Sequence, residues 1–97
     1  MRVERVIEFN KEQIELGKIS FSKRLNFFDK LDKIGKNKDL SDIDRIRLIY
    51  KENFKIIEKL SEGKIKAEQL EEEDAVEVDN IIIKLHNILG GGLSKKN

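Results

Sequence analysis

A chain of 97 residues allows one domain and one core, and a fold of this size hides only about 60–65% of its unfolded surface. Twenty Lys and Arg stand against nineteen Asp and Glu, so general polyanion binding, which needs surplus cations, is disfavoured. The absence of cysteine excludes disulfides, thiolate metal sites and cysteine nucleophiles.

No segment is apolar enough to span a bilayer, and Met1-Arg2-Val3-Glu4-Arg5 lacks an apolar signal core. The expected compartment is therefore the cytoplasm. The expected fold class is mostly helical α+β: an N-terminal β-hairpin followed by three main helices at about 22–34, 42–61 and 73–89. Residues 1–92 form the expected single domain and 93–97 a flexible tail.

In chain order, Val3, Arg5, Ile7 and Phe9 alternate with Glu4, Val6 and Glu8, which is strand rhythm. Asn10-Lys11 breaks the run and Gln13-Ile14-Glu15-Leu16 resumes it, as in a hairpin. Lys11 is a poor second turn residue, since a type I′ turn prefers glycine there, and a helical reading of residues 10–16 stays open. Gly17 ends the second strand. Ser20 or Ser22 caps the first helix, and Phe21, Leu25, Phe28, Leu31 and Ile34 form one stripe, widened by Phe27. Gly35 suits the left-handed residue that closes a helix.

Ser41, with Asp44 three residues on, resembles a capping box for the second helix. Ile43, Ile46, Tyr50, Phe54, Ile57 and Leu60 make its stripe, with Ile49 and Ile56 at the edges, and Gly63 stops it. Ile65 and Leu70 tuck inward around a single helical turn near Ala67–Glu71. In the third main helix Ala75, Val78, Ile82, Leu85 and Leu89 repeat at intervals of 3, 4, 3 and 4, with Ile81 and Ile88 on a second edge.

Little here carries catalysis. His86 is the sole histidine and has no nucleophile motif around it, so it reads as a partly exposed helix residue. Glu71-Glu72-Glu73-Asp74 offers oxygens, but consecutive helical residues point about 100° apart and cannot converge on one ion. Acids at a helix start, where the dipole favours them, explain the run better. Gly90-Gly91-Gly92 follows a helix instead of preceding one, so it offers an anion no helix N-terminus. No motif implies a cofactor or a metal, and the expectation is a protein that is not an enzyme.

Charge and apolar placement point to partners instead. Arg47, Lys51, Lys55 and Lys59 recur every four residues, while residues 67–79 hold seven acids, Glu73 and Glu77 among them, and no Lys or Arg. Such a basic stripe faces solvent or meets anions, with the acidic start of helix three, in this fold or in a neighbouring subunit, as a counterpart. Helix two is also apolar over an arc too wide for so small a domain to cover. Leu48, Ile56, Val76 and Ile83 are expected to contribute an exposed patch used for association, including homo-oligomers.

The opening Ile7-Glu8-Phe9-Asn10-Lys11-Glu12-Gln13-Ile14-Glu15-Leu16 resembles the hairpin that begins many phage tail assembly chaperones of Gram-positive siphophages. Phe21, Leu25, Phe28 and Leu31 are similar to that family's first helix, and Ile46–Leu60, Leu70 and Ile81–Gly91 to its closing half. The segment Ser61–Glu73 departs from the family by lacking an aromatic residue. The resemblance implies a non-enzymatic protein of the bacterial host cytoplasm that binds the long tape measure protein and delivers it to the growing tail tube. Two other classes stay open: a small phage or mobile-element inhibitor or adaptor that binds a host protein, and a DNA-binding regulator. The last is disfavoured because no helix-turn-helix is evident.

Overall fold

A computed structural model of the chain describes residues 5–90. The expected start of the first strand at Val3, the tail 93–97 and two of the three terminal glycines, Gly91 and Gly92, lie outside the described residues. Two strands, β1 (Val6–Phe9) and β2 (Glu12–Glu15), precede four helices: α1 (Phe21–Gly35), α2 (Asp42–Leu60), the short α3 (Ala67–Glu71) and α4 (Ala75–Gly90). The architecture is the mostly helical α+β fold with an N-terminal hairpin that the residue pattern implies.

The strands pair antiparallel with Ile7 opposite Ile14 and Phe9 opposite Glu12, which removes the helical alternative for residues 10–16. Asn10 and Lys11 both adopt positive φ, 53° and 64°, the backbone of a type I′ turn. Asparagine tolerates that conformation, whereas lysine bears a cost of about 1–2 kcal/mol. Ile7, Phe9, Ile14 and Leu16 are buried, so the hairpin docks on its own helices. Its exit is pinned where the Gly17 N–H donates to the Leu60 carbonyl at the end of α2.

Ser20 caps α1, its hydroxyl accepting from the Lys23 N–H. The expected stripe on α1 is displaced. Phe27 is its only buried residue, Phe28 and Leu31 pack partly, and Phe21 and Leu25 are exposed. At the helix start Arg24 reaches across, donating to the Leu89 carbonyl at the end of α4. Gly35 is not left-handed. It is the last helical residue, and the helix closes through the Lys36 N–H on the Asp32 carbonyl.

Ser41 caps α2 by accepting from Asp44 N–H, but the box is half made, because the Asp44 carboxylate pairs with Arg47 at 2.8 Å instead. Asn53, Phe54, Ile57 and Leu60 are buried, whereas Ile43 and Ile46 of the same stripe stand in solvent. At the other end Glu62 turns left-handed before Gly63 does, with φ of 57° and 82°. The buried Ser61 hydroxyl accepts from the Ile65 N–H and seats Ile65 in the core. Leu70 of α3 is buried as expected. Asp74 caps α4, its carboxylate accepting from the Val76 and Glu77 N–H groups. Val78, Ile81, Leu85 and Leu89 form the buried face of α4, while Ala75, expected in the seam, is exposed because it lies in the first turn.

Candidate functional site

The surface of interest is organised by α2, whose two flanks line two different grooves. A helix turns about 100° per residue, so each four-residue step advances about 40° and Arg47 and Lys59 end up about 120° apart. The basic row is therefore not one stripe. Arg47 and Lys51 border one groove, and Lys55 and Lys59 border the other.

The first groove, about 710 Å³, lies between α2 and the α3–α4 corner. Its floor is apolar, with Phe54, Leu70 and Val78 buried and Tyr50 half-buried. Ile43 and Ile46 stand along its rim at 61% and 53% exposure. Arg47 and Lys51 mark the α2 lip, and Glu71, Glu73 and Asp79 mark the opposite lip. The Tyr50 hydroxyl donates to the Asp79 carboxylate at 2.7 Å, tying the lips together. That hydrogen bond, then burial and the nearby negative charge, raises the Tyr50 pKa above its ordinary value.

The second groove, about 480 Å³, lies between α1 and α2. Ile19, Phe27, Ile56 and Leu60 give it an apolar floor, and Lys18, Lys23, Lys30, Lys55 and Lys59 surround it. Glu52 is the lone acid there, paired with Lys30 at 3.6 Å and Lys55 at 3.2 Å. A third groove between the hairpin and α4 is polar and includes Glu73, Glu77 and Lys84.

The expected association patch is only partly brought together. Val76 and Ile83, 66% and 59% exposed, lie two turns apart on the pole of α4 opposite its buried face. Leu48, 37% exposed, is on α2 in line with Lys55 and Lys59. Ile56 is a correction: it is half-buried against the core and floors the basic groove, because α1 packs along that side of α2. Nor do Glu73 and Glu77 pair with the α2 cations. Among the described residues, Arg47 and Lys55 pair locally, with Asp44 and Glu52.

His86 is half-buried against the rings of Phe27 and Phe28, with Nε2 2.6 Å from the Asn53 side-chain oxygen. Burial lowers its pKa, and neutral imidazole then donates to Asn53. This is a packing role, with no nucleophile beside it. Among the described residues no group of three or more His, Asp or Glu is placed to hold a metal, and no helix is long and apolar enough to cross a membrane.

Reading the chain alone missed Ile43, Ile46, Phe21 and Leu25 as surface residues, and Lys18, Lys23 and Lys30 as groove residues. A signal for the lysines exists: Lys23 and Lys30 are seven apart on α1 and so share one side of it. No family model matches the chain, and no curated protein or solved structure matches it.

Proposed function

We propose that this chain is a non-enzymatic protein-binding module whose groove between α2 and the α3–α4 corner takes an amphipathic helix of a client protein. The observation that carries the reading is the exposure of Ile43 and Ile46 above an apolar floor. Covering an isoleucine completely is worth about 1.5–3 kcal/mol, so two half-exposed ones offer a helix a real anchor. The lips of opposite charge favour one direction of the bound helix over the other.

The client that fits both this groove and the resemblance in the hairpin and helix pattern is a phage tape measure protein, a long helical chain with apolar stripes. The role is then that of a tail assembly chaperone, which keeps its client soluble until the tail tube forms. Co-expression with the tape measure protein of the same genome tests it. The client is expected to remain soluble and co-purify with the wild-type chain, and to be lost with Ile43→Glu combined with Ile46→Glu. A client that precipitates alone beside the wild-type chain would overturn the reading.

A further inference from the structure

The basic groove between α1 and α2 keeps most of its charge uncompensated. Lys30 and Lys55 share Glu52, while Lys18, Lys23 and Lys59 form no ion pair among the described residues. The start of α1 adds to the same field, since its first turn carries no acid to offset the positive end of the helix dipole. Five ammonium groups around an apolar floor suit an occupant that is acidic outside and apolar at its centre.

The chain carries such an element itself. Glu68, Glu71, Glu72 and Glu77 are exposed around the α3–α4 corner. No Lys or Arg falls between residues 67 and 79. Among these acids stands Val76, 66% exposed. The corner packs beside Tyr50 and Phe54, and the basic groove is on the other side of α2, with Lys55 and Lys59. One molecule therefore cannot satisfy itself, but two can.

We propose that the basic groove receives the α3–α4 corner of a second copy of this chain, with Val76 set against the apolar floor at Ile56 and the corner acids on the lysine rim. Donor and acceptor are different surfaces on opposite flanks of α2, so the contact is heterologous. Each copy gives one corner and accepts one, which builds a ring where the rotation closes and a filament where it does not. The groove proposed above for a client is left with its Ile43 and Ile46 rim free. The donated corner carries Glu71, which also stands on the lip of the client groove, so self-association is tested on the chain without client.

Sedimentation velocity on the purified chain, without client, tests this over a wide concentration range. Species larger than a monomer are expected at low salt, and they dissociate as salt approaches 1 M, where the Debye length falls to about 3 Å. A groove variant, Lys55→Gln with Lys59→Gln, and a corner variant, Glu72→Gln with Val76→Asn, should each sediment as a monomer with unchanged circular dichroism. All four positions lie on the surface, and the spectrum separates lost association from lost folding. Mixed in equal amounts, the two variants hold one intact corner and one intact groove between them, and a 1:1 dimer that grows no further is expected. Three results would overturn the proposal: a wild-type monomer at every concentration in low salt, association retained by both variants, or a mixture that stays monomeric.

Discussion

The two halves of α2 carry the same apolar rhythm and meet different fates. Toward its C-terminus Phe54, Ile57 and Leu60 are buried, with α1, the hairpin, α3 and α4 gathered around them. Toward its N-terminus Ile43 and Ile46, in register with them, are more than half exposed. At about 1.5 Å per residue α2 is about 28 Å long, and the chain has too few remaining elements to cover all of it. Periodicity states which side of a helix wants cover. Whether cover exists is set by the inventory of neighbours.

The contrast can be broken most directly by truncating one residue from each half. Ile57→Ala removes a side chain with 0% exposure and should cost about 2–5 kcal/mol, through lost burial and the cavity left behind. Ile46→Ala should change stability by no more than about 0.5 kcal/mol, as surface substitutions do. Urea unfolding of the two variants measures the difference. Comparable losses would mean that the N-terminal half of α2 is covered in solution.

The same comparison marks how far the residues alone can be read. Element order and the Ser41 cap were legible, and the α1 cap was narrowed to Ser20 or Ser22, because each depends on neighbours in sequence. The exposure of Ile43 was not, since a stripe is equally periodic whether or not another helix lies on it. Nor was the basic groove, which needs Lys18 and Lys23 from one end of the chain beside Lys55 and Lys59. Gly35 misled for a related reason: glycine permits a left-handed backbone without requiring it, and Glu62 takes that conformation despite its side chain. Buried Asn53 gave no sign at all, because its partner His86 is 33 residues away.

A second, smaller effect separates the ends of α2 by their caps. Ser61→Ala leaves the buried Ile65 N–H without an acceptor and should cost about 1–3 kcal/mol. Ser41→Ala frees the Asp44 N–H to bond water at an exposed helix start, and about 1 kcal/mol is expected. Thermal unfolding of both variants in one buffer gives the ranking. A reversed order would place the tighter end of α2 at its N-terminus and undo the comparison.

The smallest effect depends on pH and falls at the border between the halves. Asn53 is the first buried residue of α2, and it is held from α4 by His86. Burial lowers the His86 pKa from its ordinary 6.5, so between the two values the unfolded chain binds more protons than the folded one. Stability from this group is therefore complete above about pH 6.5 and declines as pH falls through the lowered folded value. His86 is the only histidine, and ordinary carboxylates titrate near pH 4, so a decline between pH 7 and 5 reports on this contact. His86→Gln keeps an N–H for the Asn53 oxygen and carries no titrating group, so its stability should stay level across that range. An equal decline in the wild type and in His86→Gln would assign the pH dependence to groups other than His86.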